Sequence, residues 1–407
     1  MGVCLWLVVI ACMSQEQKDF PSSFDVTVTN PTEFVRYDVM ALVPADQLEG
    51  IEFNPEAFIV MLDDREIPSQ YVDAPQDGIA IVLDSLTARQ AVSLQVRYNP
   101  SGKNVRQYPK RTQAELSHKF NGTWNNREYE GGEFRNVGYM RVPSEHKDHS
   151  WFIRYEGPGW ESDKVGYRFY LDQRNATDVF GKKVTEPVLQ HVGLEGFDSY
   201  HEMQSWGMDV MKVGKSLGIG SIGAWLDSAA IRVERTDSLT CSITDNGPVY
   251  SSITTTYSGW KAGTDTVDVN SVISIHAGTR ITRQHLSLST DMDNLCTGLV
   301  KDEKAKLFSS PPTHDSFGYL ATFGRQSLNN DNLGIAVLFD NTSFTGFSED
   351  QFSHVVRLQS ADSGLTYYFL AAWEGEPGGI TDEASFIDHV KVVARELAQP
   401  VTVAINH

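Results

Sequence analysis

The chain is poor in cysteine and poor in cations, and each shortage removes a class of function. Only four cysteines occur in 407 residues, and two of them, Cys4 and Cys12, lie near the start. The body keeps Cys241 and Cys296, with no CxxC, no HExxH and no zinc-ribbon spacing. Metal and redox centres of those kinds are therefore excluded. No cofactor is required; a divalent ion such as calcium or zinc would need scattered His and Asp ligands. Whether Cys241 and Cys296 pair is open, because spacing alone does not decide it. Lysine and arginine number 34 against 53 aspartates and glutamates, for a formal net charge of −19. Nucleic acid is excluded as a partner, since its phosphates need a basic surface. A polyanionic substrate would be repelled at long range and must meet a locally positive cleft.

Long hydrophobic runs are also scarce. The N-terminal stretch Leu5-Trp-Leu-Val-Val-Ile-Ala11 is too short to span a bilayer as a helix. It reads as the apolar part of an export signal. Val9-Ile10-Ala11-Cys12 resembles a bacterial lipobox, which implies cleavage before Cys12 and lipid on its sulfur. No Lys or Arg precedes the run, a departure from the usual signal. Residues 1–18 are thus expected to be leader and tether of an exported, periplasmic or outer-membrane lipoprotein. Its membrane contact would be through the lipid alone.

Helical periodicity is nearly absent. One stretch, Glu383 to Gln399, places Phe386, Val390, Val393 and Leu397 on one stripe before Pro400, with Thr381 or Asp382 as cap. Elsewhere the pattern is that of strands. Phe24 to Val28 and Ser93 to Tyr98 alternate apolar and polar residues, and Asn30-Pro31, Asp63-Asp64 and Asp77-Gly78 supply turns. Leu333 to Phe339 and Thr366 to Trp373 are continuous apolar runs, as in strands covered on both faces. The expectation is all-β. A small N-terminal β-sandwich (20–105) and a connector (106–150) precede a large antiparallel β-sandwich (151–407) that carries the C-terminal helix.

Four segments carry candidate chemistry. The first, Trp151 to Asp172, packs Arg154, Lys164 and Arg168 among Trp151, Tyr155, Trp160, Tyr167 and Tyr170. Aromatic faces stack on sugar rings and fixed cations hold carboxylates or sulfates. In a strand from Val165, side chains alternate. Val165, Tyr167, Phe169 and Leu171 share one face; Lys164, Arg168, Tyr170 and Asp172 share the other. On this parity Tyr167 is as much a core residue as a catalytic one. Gly157-Pro-Gly159 forces a turn that would let Trp160 project from a loop. The plain alternative is an amphipathic strand with a solvated face. The second segment holds His201, Trp206 and Asp209 in a polar, aromatic loop, where a histidine titrates near neutrality. Its alternative is a structural His. Asp209 could orient it, bind a metal or cap a turn. The glycines from Gly214 to Gly223 lack the order of a phosphate loop. The third segment places Arg325 and Asn329 in an amide-rich turn suited to hydroxyls and a carboxylate, or to a polar hairpin tip. The fourth ends an apolar strand at Glu374, as a general acid, a hydroxyl ligand or an exposed acidic turn.

The runs Arg154 to Asp172, His201 to Asp209 and Phe323 to Asp331 resemble a family of secreted proteins of unknown function. That family occurs in bacterial polysaccharide-utilisation loci and includes the ulvan oligosaccharide dehydratase. The resemblance spans about 20–400. It implies a galactose-mutarotase-like supersandwich and a carbon–oxygen lyase acting on an anionic oligosaccharide. The implied reaction removes water from a non-reducing-end glucuronate or iduronate, linked to sulfated rhamnose, and leaves a 4,5-unsaturated uronate. Such chemistry needs a cation on the carboxylate, for which Arg154, Arg168 and Arg325 are candidates. It needs a base for the C5 proton, for which His201, Tyr167 and Tyr155 are candidates. A tyrosine base would need nearby cations such as Lys164 or Arg168. Trp160, Trp206, Asp209, Asn329 and Glu374 are expected to contact sugar. The rivals are a glycoside hydrolase using Glu374 and Asp209, a polysaccharide lyase, and a glycan-binding protein without turnover.

Overall fold

A computed structural model describes residues 18–73, 76–196 and 198–406. Cys12 and the expected leader lie outside the described residues. The described chain is all-β apart from short helical turns and one long helix. Its N-terminal part is a sandwich. A five-stranded sheet runs in the order Thr402–Asn406, Ser22–Thr29, Ala91–Tyr98, Phe58–Leu62, Arg65–Ile67. It packs on a three-stranded sheet of Arg36–Pro44, Gly78–Leu86 and Ser69–Val72. The alternation seen in sequence is what builds this core: Val26 and Val28, then Leu94 and Val96, point inward against Val39, Ala41, Ile79 and Ile81.

The larger part has three sheets. A nine-stranded antiparallel sheet is centred on the long strands Tyr250–Ala262 and Asp265–His276. Two five-stranded sheets cover one of its faces. One of them, here the outer sheet, runs in the order Gly207–Asp209, Thr177–Lys182, Val165–Phe169, Gly159–Ser162, Thr112–Glu115. The other is built around Leu295–Val300 and Ser353–Leu358. Between the layers lies the main core, to which Trp160, Tyr167, Val179, Ile273, Leu299, Val356 and Phe369 contribute. The helix Glu383–Ala398 covers the opposite face of the nine-stranded sheet. Asp382 caps it, accepting the Ser385 N–H at 2.9 Å. Phe386, Val390 and Val393 pack there on Ala336, Leu338, Leu370 and Ala372. Strand Leu333–Phe339 is thus buried on both sides, as its unbroken apolar run requires.

Two boundaries differ from the sequence reading. Segment 106–150 is more than a connector. It supplies strand Thr112–Glu115 to the outer sheet and strand Tyr139–Arg141 to the nine-stranded sheet, and it forms the hairpin Ser117–Asn125/Glu128–Asn136. These strands are short or largely solvated, so they carry no apolar run to read. The chain's last strand, Thr402–Asn406, leaves the large part and pairs with Ser22–Thr29. Cys241 and Cys296 are free and buried. No helix among the described residues is long and apolar enough to cross a membrane.

Candidate active site

Register in the outer sheet decides which side chains meet. Trp160 pairs with Tyr167, and Tyr167 with Val179; these face the core. Arg168 pairs with Asp178, and Phe180 with Asp209; these face away from it. The outward face is roofed by loops 143–158 and 183–206. Leu171 N–H donates to Glu156 O at 3.0 Å, and Lys183 N–H to Trp206 O at 2.7 Å. In the first loop His149, Trp151, Tyr155 and Glu156 all have positive φ, from 36° to 69°. Non-glycine residues rarely adopt this conformation, and it concentrates where surrounding structure holds side chains for function.

Beneath that roof lies a layer of buried charge. Arg168, 2% exposed, is its centre. Its Nη2 donates to Asp178 Oδ2 at 2.8 Å and to Asp209 Oδ2 at 2.7 Å. Its Nη1 donates to Tyr155 O at 3.2 Å and to the Tyr200 hydroxyl at 3.1 Å. Glu156 stands 3.9 Å away. Burial alone would lower the guanidinium's pKa, but the phenols of Tyr170 and Tyr200 and the two aspartates outweigh it, so the charge is kept. Asp209 moves the other way. Burial and the neighbouring Asp178 push its carboxyl well above the usual range, against the pull of Arg168. On one side, Arg154 pairs with Glu115 at 2.5 Å and Tyr155 donates its hydroxyl to the same carboxylate. On the other, Arg174 joins Asp172, Glu156 and Asp148, with its guanidinium 4.0 Å from the centre of the Tyr170 ring.

Histidines mark where the layer reaches solvent. His201 ends the helical turn Asp198–His201, with its side chain 45% exposed and Nε2 3.5 Å from Asp209 Oδ2. His149, 60% exposed, contacts Asp148 at 2.5 Å and Glu156 at 4.0 Å. A continuous path therefore runs His201–Asp209–Arg168–Glu156–His149. Around it stand aromatic side chains: the Trp151 ring lies against Gly196, and Trp206 packs edge-on to Phe180. The ammonium of Lys119, from the hairpin, stands over the rings of Trp151 and Phe134 at 5.5 and 5.4 Å. It forms no ion pair among the described residues. Beside this region opens a cleft of about 830 Å³, lined by His146, Asp172 and Arg235 among others. His146 Nδ1 meets Ser150 Oγ at 2.8 Å, its Nε2 is buried without a partner, and burial holds its pKa down.

The candidate residues from sequence divide accordingly. Arg154, Tyr155, Arg168, Trp206, His201 and Asp209 converge. Trp160 does not project from a loop; it is fully buried, stacked on Tyr167 and donating to Thr282 Oγ1 at 2.9 Å. Tyr167 is a core residue whose hydroxyl donates to Arg280 O at 2.6 Å and accepts from Ala371 N–H at 2.9 Å. Burial raises the pKa of Tyr167, and of Tyr155 together with Glu115, so neither has the lowered value a base requires. Lys164 opens into a different cleft. Arg325 and Asn329 are exposed. Their loop passes the outer sheet's edge, where Leu328 N–H donates to Val210 O at 2.9 Å, but Asn329 spends its amide on Asp331 at 2.7 Å. Glu374 accepts the Asn332 N–H at 2.9 Å. Arg168 is saturated by protein acceptors; Arg154 is buried, with Nη1 and Nη2 held by Gln190 O and Glu115 and only its Nε lacking a partner, so neither is open to clamp a substrate carboxylate. Asp178, Tyr200, Arg174 and His146 were missed. A lone aspartate beside Val179-Phe180 in a buried strand was the available signal.

Ligand atoms of Asp148, His149 and Glu156 lie within 4.8 Å of one another, the spacing of a metal site. Arg174 already occupies it, with Nη1 2.7 Å from Asp148 and Nη2 2.8 Å from Glu156. A divalent ion does not fit without displacing that guanidinium.

These features define a large antiparallel β-sandwich protein with a buried ionic layer under a roof of loops. The chain belongs to the family described as a domain of unknown function (DUF4861), whose model matches residues 28–403. No curated protein matches the sequence. Among solved structures it is similar to an alpha-mannosidase from Enterococcus faecalis V583. That likeness has 8% identity and a TM-score of 0.48, over 97% of this chain and 46% of that one. It is also similar to a protein in the glycosyl hydrolase family 38 from Enterococcus faecalis, with 9% identity and a TM-score of 0.47, over 95% and 47%. The chain spans about half the length of these structures.

Proposed function

We propose that this protein is a carbohydrate-active enzyme that removes water by β-elimination from a terminal uronic acid of an oligosaccharide, as in ulvan breakdown. The observation that supports this reading is the His201–Asp209 contact, an exposed imidazole backed by a buried carboxyl whose pKa is pushed up by burial and Asp178. His201 is the base. It takes the C5 proton, the electron pair forms the C4–C5 double bond, and the C4–O bond breaks. The imidazolium returns the proton to the departing hydroxide, which leaves as water. Lys119 is the cation for the uronate, with Trp151 and Trp206 as sugar-facing rings. Arg168 is a positioning residue that fixes Asp209.

Other than the Glu374 and Asp209 expected from sequence, a hydrolase could use the structure's own pair, Asp178 and Asp209, and this is disfavoured. Both touch one guanidinium nitrogen, which leaves no space for a scissile bond between them. The test is incubation with a glucuronyl–rhamnose-3-sulfate oligosaccharide. The expected product absorbs at the enol-ether band and is lighter by one water. A new reducing end without a double bond would replace the reading with hydrolysis. Binding with unchanged ligand mass would make the protein a glycan carrier. The reading also puts the enzyme outside the cytoplasm, anchored through Cys12; Cys12→Ser should release it from the membrane fraction.

A further inference from the structure

A second cleft shares no lining residue with the first. It is about 710 Å³ in volume and opens between strand Arg36–Pro44 of the N-terminal sandwich, the helix Glu383–Ala398 and an edge of the large part. Arg36, Lys164, Arg280 and Arg395 line it against two carboxylates, Asp38 and Glu396. Both acids are already matched: Asp38 meets Arg111 at 2.8 Å and Glu396 meets Arg36 at 3.6 Å. Arg280 is held by Glu376 at 2.5 Å. That leaves two cations. The Lys164 ammonium has no hydrogen bond or ion pair among the described residues, although its charge is felt by Glu376. Arg395 has no ion pair there, and its guanidinium stands 4.8 Å from the centre of the Phe34 ring. His389 also lines the cleft, and its Nε2 is buried without a partner. Tyr37, 71% exposed, and Tyr368 add aromatic faces. A surplus of positive charge is unusual on a chain of net charge −19. Together with an orphan imidazole and aromatic walls, it describes a place where an anion on a flat polar ring would be held.

We propose that this cleft is a binding site for a sulfated or carboxylated sugar unit, with Lys164 and Arg395 meeting the anionic group and His389 meeting an adjacent oxygen. The site stands on its own residues and does not depend on the proposed elimination. Calorimetry with a sulfated uronyl oligosaccharide tests it, using wild type, His201→Ala and the pair Lys164→Ala/Arg395→Ala. Wild type and His201→Ala should bind alike at this site. The double variant should weaken binding about tenfold or more, and added salt should weaken the wild type towards it. The charge-keeping pair Lys164→Arg/Arg395→Lys, with an unchanged melting curve as a check on folding, should retain binding. Equal affinity of the Ala pair and wild type would overturn the proposal, as would equal binding of a desulfated, carboxyl-reduced oligosaccharide. Binding of inorganic sulfate as tight as that of the sugar would reduce the cleft to a simple anion site and equally overturn it. Loss of oligosaccharide binding in His201→Ala with retention in the Ala pair would assign the ligand to the other site.

Discussion

Arg168 and Asp209 meet through a 2.7 Å hydrogen bond while each is only 2% exposed. Burial keeps this contact away from any substrate, so it is a scaffold first. Removing Arg168 leaves Asp178, Asp209 and Glu156 facing one another without their shared cation. Arg168→Ala is therefore expected to cost about 3–5 kcal/mol of stability, the usual loss when one partner of a buried pair is deleted. Arg168→Lys should recover little of it, because one ammonium cannot reach the acceptors that the planar fork serves. Urea unfolding measures both. A loss below about 1 kcal/mol for Arg168→Ala would show the layer to be solvated.

His201 is exposed, so its removal should separate function from folding. His201→Ala is expected to leave the melting temperature near that of wild type and to lower turnover by about 10²–10⁴, the range of general acid–base help. Asp209→Asn keeps the size of the acid and an oxygen to accept from Arg168, so it should fold. It should shift the pH profile of turnover rather than abolish binding. Wild-type rates in His201→Ala would end its role as the proton carrier.

Trp160 illustrates what parity alone can and cannot decide. Strand alternation from Val165 placed Tyr167 and Arg168 on opposite faces, and the structure keeps them there. Trp160 lies outside that alternation; its expected place in a loop rests on a turn at Gly157-Pro-Gly159, and that segment does not free it. The segment is instead the entry to a strand paired on both sides with Thr112–Glu115 and Val165–Phe169. Trp160→Ala should therefore cost about 3–5 kcal/mol through the cavity it leaves and should strand Thr282 Oγ1. Trp160→Phe should cost less. A near-neutral Trp160→Ala in chemical denaturation would show that this core is loosely packed.

The fold class and the capped C-terminal helix were readable because they rest on local periodicity. The alternating runs around Val26 and Leu94 and the Phe386–Val390–Val393 stripe each state their buried face without reference to distant chain. The site was only half readable. Arg168, His201 and Asp209 lie on one strand, one helical turn and another strand of the same sheet, and nothing local links them. The pairing of Arg154 with Glu115, 39 positions away, is a product of topology. So is the transfer of Lys164 to a separate cleft: it precedes the strand, in the Asp163-Lys164 turn, and is not bound by its alternation.

His389 gives the chain a pH dependence of predictable sign. Burial and the nearby Arg280 lower its pKa from 6.5 to about 4. Between those values the unfolded chain takes up a proton that the folded chain refuses. Stability therefore falls as pH drops from about 6.5 towards about 4 and is insensitive to this group above that window. At pH 5 the loss is on the order of 1–2 kcal/mol. His389→Gln has no proton to take up, so its melting temperature should fall less between pH 7 and pH 5 than that of wild type. Arg36, Asp38, Lys164, Arg280, Arg395 and Glu396, the charges sharing the cleft, are present in both proteins and cancel in the comparison. Parallel melting curves for the two proteins across this range would mean that the His389 imidazole is reached by solvent and titrates normally in the folded state.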